Sequence, residues 1–172
     1  MYSRRQILLA GAGLGGAALA LGALPRLLAP TALISEASAG ETFEVNHTEA
    51  QWRAMLSAEQ YEILREEGTE RAYSSALNNE HRDGTFACGG CALPLFSSST
   101  RFDSHTGWPS FWAPLPNAVT TRQDRSYGMV RDEVHCRRCG GHLGHVFNDG
   151  PPPTGLRYCM NGLALTFEPR KA

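Results

Sequence analysis

The pattern of apolar and polar positions divides the chain into three parts. From Ile7 to Leu24 the sequence is a nearly unbroken run of leucine, alanine and glycine. Apolar residues then recur at helical spacing and predict two short helices, Thr48 to about Arg53 and Ser57 to Glu67. From Gly84 onward, short segments rich in aromatic and β-branched residues alternate with Gly, Pro, Asn and Asp, a pattern typical of β-structure.

Seven strands are predicted in this last part. They are Thr85 to Ala87, Leu95 to Phe96, Val119 to Arg122, Met129 to His135, His145 to Phe147, Arg157 to Cys159 and Leu163 to Phe167. Ser57 and Gln60 have the spacing of a capping box at the start of the second helix, and Gly68 is predicted to end it. The expected fold class is therefore mainly β, with the short helices in front of the β-core.

The first 39 residues look like a twin-arginine export signal. Ser3-Arg4-Arg5-Gln6 precedes the apolar run, and Ala37-Ser38-Ala39 resembles a cleavage site. We expect cleavage after Ala39, with the twin-arginine translocase carrying the folded protein to the periplasm or otherwise out of the cytoplasm. The alternative is an uncleaved membrane helix, because the apolar run is about long enough to span a bilayer. Residues 40–47 would form an exposed segment, and 48–172 one domain.

The charge of the mature chain argues against a nucleic-acid partner. The whole chain has 16 basic and 17 acidic residues. Cleavage would remove Arg4, Arg5, Arg26 and Glu36, which leaves 16 − 3 = 13 basic and 17 − 1 = 16 acidic residues, a formal charge of −3. A basic stripe for phosphate binding is not expected from this balance. The remaining 172 − 39 = 133 residues suit a single domain, and we expect a monomer.

Four of the five cysteines form two C-x-x-C pairs, Cys88 with Cys91 and Cys136 with Cys139. Four thiolates are the ligands of a closed, tetrahedral structural zinc site, and the separation of the pairs requires a sheet to bring them together. Three alternatives remain open: two disulfides, a redox-active C-x-x-C, and an iron site like that of rubredoxin.

The fifth cysteine, Cys159, has no partner in sequence and lies in the run Arg157-Tyr158-Cys159-Met160-Asn161. A closed zinc site has no open coordination position for chemistry, so any reaction falls to this thiol. Cys159 is therefore either an inert buried thiol or a nucleophile. On a strand, Arg157 would project from the same face and could lower the pKa of the thiol; its alternative role is a surface ion pair.

Three further motifs resemble those of the B-type methionine sulfoxide reductases. They are Gly107-Trp108-Pro109-Ser110-Phe111, Gly141-His142-Leu143-Gly144-His145-Val146-Phe147-Asn148-Asp149, and the run around Cys159. With both cysteine pairs, the resemblance covers roughly Trp52 to Phe167. It implies a fold of two twisted antiparallel sheets (a β-tent), one structural zinc ion, and reduction of methionine R-sulfoxide in oxidised proteins by a thioredoxin-like or small-thiol reductant.

The resemblance also assigns roles to individual residues. Cys159 would attack the sulfoxide and become a sulfenic acid, while His142 and His145 bind the substrate and help to donate a proton. Asp149 and Asn161 would orient the histidines and order water. The histidines could instead ligate the metal, and Asp149 could simply cap a turn.

Trp108 and Phe147 are implied as substrate-binding residues. The indole of Trp108 would form a wall that holds the methyl group on sulfur. A core tryptophan is the alternative.

Two positions depart from the family pattern. Thr106 stands where many of these enzymes have a second, resolving cysteine, and Gly162 stands where serine is usual. The sequence therefore predicts a one-cysteine cycle, in which an external thiol regenerates Cys159. Two other classes of protein stay open from the residues alone: a zinc-ribbon binding module without catalysis, and an electron carrier with iron.

Overall fold

Two capped helices begin the part of the chain that the computed structural model describes, residues 42–171. They are α1 (Glu49–Met55) and α2 (Ala58–Glu66). The predicted capping box of Ser57 and Gln60 is confirmed, and Thr48 makes a second one with Gln51. Glu67, at φ 58°, rather than Gly68 provides the left-handed residue that ends α2. The predicted export signal lies outside the described residues.

The described residues contain nine strands. They are β1 (Gly84–Cys88), β2 (Pro94–Ser97), β3 (Arg101–Phe102), β4 (Ser110–Phe111), β5 (Val119–Asp124), β6 (Arg131–Cys136), β7 (His142–Phe147), β8 (Arg157–Met160) and β9 (Leu165–Pro169). Each of the seven predicted strands is present with shifted ends. The sequence missed β3 and β4 because two residues are too few to show alternation.

Two predicted strands begin too early. Met129 precedes β6 because Ser126–Gly128 form a 3₁₀ turn, with Tyr127 at φ 53°. Leu163 precedes β9 because Gly162–Ala164 form another such turn. In both places the chain turns before it extends, and apolar composition alone does not distinguish these conformations.

The strands form two antiparallel sheets. The smaller sheet has the order β2-β1-β9, and the larger has the order β3-β4-β8-β7-β6-β5. The predicted fold class, mainly β with two sheets and short helices, is confirmed. No helix within residues 42–171 is long and apolar enough to cross a membrane.

An aromatic cluster joins the two sheets. Phe86 of β1, Phe96 of β2 and Phe111 of β4 are fully buried, and the rings of Phe96 and Phe111 stack with centroids 4.4 Å apart. Phe86 meets Phe111 edge to face at 4.9 Å. Trp52 of α1 and Leu64 of α2 are also buried in this core, so the helices extend it rather than form a separate layer.

Candidate active site and metal centre

Strand register places one residue from each of five strands in a line across the larger sheet. Arg122 pairs with Glu133, Glu133 with His145, His145 with Cys159, and Cys159 with Ser110. Directly paired residues project from the same face of a sheet. We call these five residues the transverse row, and it brings the predicted residues Cys159 and His145 onto neighbouring strands.

A β-bulge brings His142 to the same face as His145. Three positions apart on a regular strand, the two side chains would point to opposite faces. Between the pairs Val134 with Gly144 and His135 with His142, however, β7 contains one extra residue, Leu143. The bulge reverses the alternation, so the Leu143 side chain is fully buried and the rings of His142 and His145 lie 5.5 Å apart.

A cavity of about 120 Å³ lies over this face. It is small beside the pockets that bind drug-sized ligands and is suited to a single side chain. Four of the predicted site residues besides Cys159 contribute to it. The lining residues are Thr69, Trp108, Arg131, Gly144, His145, Phe147, Cys159 and Asn161. Trp108 is therefore a wall of the cavity, as its motif implied, and only partly buried.

His142 and His145 each lie within hydrogen-bond distance of a carboxylate. His142 Nδ1 lies 2.5 Å from Glu133 Oε1, and His145 Nε2 lies 2.9 Å from Asp124 Oδ2. A carboxylate only accepts hydrogen bonds, so these ring nitrogens carry the protons. In the neutral rings the other nitrogens keep a lone pair, and Nε2 of His142 is buried without a hydrogen-bond partner among the described residues.

Burial and hydrogen bonds both shift the pKa values of the groups around His142 and His145. Burial opposes the charge of Glu133, but the nearby His135 ring and the hydrogen bonds with His142 and Arg122 outweigh it and hold the pKa of this carboxyl far below its usual range. Hydrogen bonds from Ser126 and His145 likewise hold the pKa of Asp124 well below its usual range. Burial lowers the pKa of His145, although Asp124 acts in the opposite direction. The neutral form of His145 is therefore favoured.

The pKa of the Cys159 thiol is raised, not lowered as the sequence led us to expect. Burial of the thiol is the main cause, because a thiolate loses solvation there. Thr106, Arg157 and Ser110 each act to lower the pKa, but together they do not outweigh burial. The expected direction was wrong because proximity of a positive charge is visible in sequence, whereas burial is not.

Arg157 and Asp149 bind each other. The guanidinium donates from Nε and from a terminal nitrogen to the two oxygens of Asp149, at 2.8 and 2.9 Å. Asp149 was expected to orient the histidines, but Glu133 and Asp124 do so. The Arg157 guanidinium also lies 4.3 Å from the centroid of the Phe147 ring. Asp149 therefore fixes the cation behind the cavity instead of contacting the histidines.

Asn161 connects the cavity to the chain that precedes β1. Its Oδ1 accepts from the backbone N–H of Glu70 at 3.0 Å, and its amide nitrogen donates to the carbonyl of Leu143 at 3.3 Å. The carbonyl of Glu70 in turn accepts from Trp108 Nε1 at 3.1 Å. The side chain of Asn161 is thus used to hold Trp108 and the bulge in place.

The four remaining cysteines form the second centre. The closest sulfur pairs run between the two C-x-x-C turns: Cys88 Sγ to Cys139 Sγ is 3.7 Å and Cys91 Sγ to Cys136 Sγ is 3.5 Å. All four sulfurs lie within 4.8 Å of one another, and all five cysteines are free thiols. Sulfurs about 2.3 Å from a tetrahedral zinc are roughly 3.8 Å apart, so the donor set fits that ion. Neither His142 nor His145 belongs to this cluster.

Comparison with known proteins identifies the family. The SelR domain matches residues 56–169, about two thirds of the chain. The chain belongs to the SelR domain family. Among its similar relatives is the peptide methionine sulfoxide reductase MsrB of Thiobacillus denitrificans, 59% identical over 124 residues, which cover 72% of this chain and 94% of the relative.

Two further relatives carry the same name. The protein of Agrobacterium fabrum is 54% identical over 127 residues, 73% of this chain and 94% of its own length. The protein of Leptospira interrogans is 51% identical over 127 residues, which cover 73% of this chain and 97% of the relative's own length. The resemblance seen in the motifs is thus confirmed at the level of the family.

Sequence reasoning missed several residues of this SelR domain site. Asp124, Glu133 and Arg131 belong to the β5–β6 hairpin, outside every motif quoted above, and Glu70 lies before β1. The predicted strand Met129 to His135 contains three charged residues, Arg131, Asp132 and Glu133, and the sequence alone does not show which of them is buried.

Position 162 is glycine where serine is usual, and the residues around it explain why. A Cβ on Gly162 would lie 1.9 Å from Ser75 Oγ, so a side chain at position 162 would collide with Ser75. The Gly162 N–H donates to Glu70 Oε1 at 2.6 Å. The departure therefore lies in the packing behind Asn161 rather than in the cavity.

Proposed function

We propose that this protein reduces methionine sulfoxide to methionine, and that Cys159 is the nucleophile. The observation that carries the proposal is the free Cys159 thiol at a cavity of side-chain size, directly opposite His145 on the paired strand. Membership of the SelR domain family, with relatives named peptide methionine sulfoxide reductase, agrees with it. A non-catalytic binding module would have no need of such a juxtaposition.

The cavity suits a methyl sulfoxide. Trp108 and Phe147 provide aromatic faces for the methyl group and for the partial positive charge that grows on sulfur. Cys159 attacks the sulfoxide sulfur as a thiolate, and the sulfoxide oxygen must be protonated as this happens. His145, protonated at Nδ1 when the substrate is bound, is the proton donor in this proposal, with Asp124 stabilising the imidazolium from the other side.

The oxygen then moves to the enzyme. One thiol and one sulfoxide yield one thioether and one sulfenic acid on Cys159, so atoms and electrons balance. An external thiol forms a disulfide with Cys159 and releases water, and a second thiol restores the Cys159 thiol. Thr106, the residue at the position of the resolving cysteine, has its Oγ1 3.8 Å from the Cys159 sulfur, which supports a one-cysteine cycle with an external reductant.

The metal centre has a structural role in this proposal. Cys88, Cys91, Cys136 and Cys139 would hold one zinc ion, which supplies cross-linking rather than chemistry because all four positions are filled by thiolates. Arg138 Nε donates to Cys91 Sγ at 3.4 Å and partly balances the negative charge of the four sulfurs.

The assay is turnover of the separated R and S epimers of an N-acetylated methionine sulfoxide by the full chain, with dithiothreitol as reductant. We expect reduction of the R epimer only. Cys159→Ser should abolish it, while Ser97→Ala on β2 of the smaller sheet should not. Absence of turnover by the folded, metal-loaded parent protein would overturn the proposal.

Mass spectrometry tests the one-cysteine cycle. After incubation with substrate and no reductant, the parent protein should gain one oxygen at Cys159. An intramolecular disulfide between Cys159 and any of the four clustered cysteines would contradict the proposed cycle.

We also propose that the protein works outside the cytoplasm. Residues 1–39 would direct export through the twin-arginine translocase and be removed after Ala39. The mature protein isolated from the producing cell should begin at Gly40. Replacing Arg4 and Arg5 together with lysine should retain the uncleaved protein in the cytoplasm; export unaffected by that change would refute the assignment.

A further inference from the structure

Three hydroxyl groups form a chain that ends at the Cys159 sulfur. Ser110 Oγ lies 2.7 Å from Ser104 Oγ, which lies 2.8 Å from Thr106 Oγ1, which lies 3.8 Å from Cys159 Sγ. At its other end, Ser110 Oγ donates to the carbonyl of Trp108 at 3.1 Å. Ser110 is almost fully buried and pairs with Cys159 across β4 and β8.

Counting protons fixes the direction of this chain. Each hydroxyl has one proton to donate. Since Ser110 gives its proton to the Trp108 carbonyl, Ser104 must donate to Ser110 and Thr106 to Ser104. Thr106 is then left as an acceptor, and the thiol of Cys159 donates to it. The observed arrangement therefore suits a protonated Cys159.

The loop that presents Thr106 is held in place on both sides. His105 at φ 57° and Gly107 at φ 93° are in left-handed conformations. Tyr73 fixes both, because its hydroxyl donates to the His105 carbonyl at 2.7 Å and its N–H donates to the Gly107 carbonyl at 2.7 Å. A Cβ on residue 107 would lie 2.8 Å from Tyr73 N, so glycine is required. The position of Thr106 beside the sulfur is therefore built into the fold.

We propose that Thr106 is a catalytic residue, and that the chain from Ser110 through Ser104 to Thr106 reverses when Cys159 loses its proton. Thr106 then donates to the thiolate, Ser104 donates to Thr106 and Ser110 donates to Ser104, while the Trp108 carbonyl loses its donor. All three hydroxyl groups rotate, and no covalent bond is broken. The inference rests on the proposed function, since it names how the nucleophile of that reaction is stabilised.

The reversal serves two steps of the reaction. It stabilises the thiolate that attacks the sulfoxide, where burial alone disfavours the charge. It also stabilises the same thiolate when it leaves the mixed disulfide with the external reductant, because a better stabilised thiolate leaves faster. Ser104 is a positioning residue in this scheme, because it acts through Thr106, whereas Ser110 also acts on the Cys159 thiol directly.

The test is the rate at which iodoacetamide alkylates Cys159, followed from pH 5 to 10 by mass spectrometry of the peptide that contains it. Thr106→Val replaces the hydroxyl with a methyl group of similar size. It should raise the apparent pKa of the thiol and slow alkylation at pH 7 about tenfold. kcat/KM for the R sulfoxide should fall in parallel.

Two variants make the result specific. Thr106→Ser keeps the hydroxyl and should restore most of the alkylation rate lost in Thr106→Val. Thr121→Val, on the exposed edge strand β5, should leave alkylation and turnover unchanged. A folded, metal-loaded Thr106→Val protein with the parent's alkylation profile would overturn the proposal. If the parent failed to reduce sulfoxide but Thr106→Val still slowed alkylation, the proposed function would fall while the hydroxyl chain would stand.

Discussion

His142 and His145 each lie against a carboxylate, and both carboxylates come from the β5–β6 hairpin rather than from the histidines' own strand. Glu133 receives three partners, because Arg122 Nε donates to its second oxygen at 2.8 Å and His135 Nε2 lies 2.8 Å from its first. A carboxylate that is almost fully buried can keep its charge only with such partners. Glu133 therefore fixes the orientation and the protonated nitrogen of His142.

Replacing this carboxylate tests that role. Glu133→Gln should lower kcat roughly tenfold to a hundredfold, within the range usual for acid–base groups, and change KM little. The reason is that an amide cannot accept from His142 and Arg122 with equal strength, so the ring is no longer fixed. Steady-state kinetics with the R sulfoxide measure both constants.

The control for this substitution is Glu168→Gln on the exposed face of β9, which should behave as the parent protein does. Thermal unfolding of Glu133→Gln establishes that it is folded. An unchanged kcat in the folded variant would show that Glu133 has only a packing role.

The environment of His145 predicts how stability depends on pH. Asp124 of β5, Arg131 of β6, His142 of β7 and Cys159 of β8 surround the ring, and its pKa in the folded protein lies below the ordinary 6.5. The unfolded chain therefore binds this proton more readily than the folded one. Stability contributed by neutral His145 is present above pH 6.5 and is lost as the pH falls below it.

Urea unfolding at pH 7.5 and pH 5.5 measures this loss. The parent protein should lose more free energy of unfolding than His145→Gln over the interval, with an upper limit of about 1.4 kcal/mol for each pH unit. Equal losses in the two proteins would mean that His145 titrates normally when folded.

At the scale of elements, the bulge in β7 depends on one glycine. Gly144 has a φ of 154°, and a Cβ there would lie 2.1 Å from the carbonyl oxygen of Cys159. The strand that carries both histidines can approach β8 so closely only because this position has no side chain. The bulge and the glycine together determine where His142 and His145 lie relative to Cys159.

Gly144→Ala should therefore destabilise the protein by about 3 kcal/mol or more, because the strands must separate or the backbone must change. Gly155→Ala is the matched control: its φ of 72° is also positive, but nothing lies within 4 Å of the added Cβ. That variant should lose only about 1 kcal/mol. Urea unfolding compares them, and equal losses would show that the close approach is unimportant.

Periodicity predicted the elements that are long enough to display it. The two helices and seven of the strands were visible because capping residues and alternation are local properties of the sequence. The bulge was not, because an extra residue is defined only by the partner strand. The same limit applies to Asp124 and Glu133: their roles depend on register with β7, and the motifs that contain the histidines carry no information about it.

At the scale of the whole molecule, the four clustered cysteines connect the two sheets. Cys88 ends β1 of the smaller sheet and Cys136 ends β6 of the larger, while Cys91 and Cys139 lie in the turns that follow them. The sequence predicted that the two pairs meet, since four soft ligands of this spacing require it. Which sheets they join could not be read from the spacing.

Removal of the metal should therefore unfold the domain. Binding at structural zinc sites contributes on the order of 10 kcal/mol, comparable to the whole stability of a domain this size. We expect one zinc ion per chain by elemental analysis, and loss of the cooperative thermal transition after chelation. Cys91→Ser should lose the metal and Cys159→Ser should keep it. A metal-free protein with an unchanged Tm would rule out this role.

The transverse row has a consequence for damaged or misfolded copies of the chain. A slip of one residue between any two of its strands would turn a member of the row to the opposite face, where Val134, Leu143 and Met160 are buried. Cys159 and His145 can thus meet only in a chain whose strands β7 and β8 are correctly aligned. The sulfoxide-reducing activity of a crude sample would therefore be proportional to the amount of natively folded protein, and partly folded molecules would contribute none.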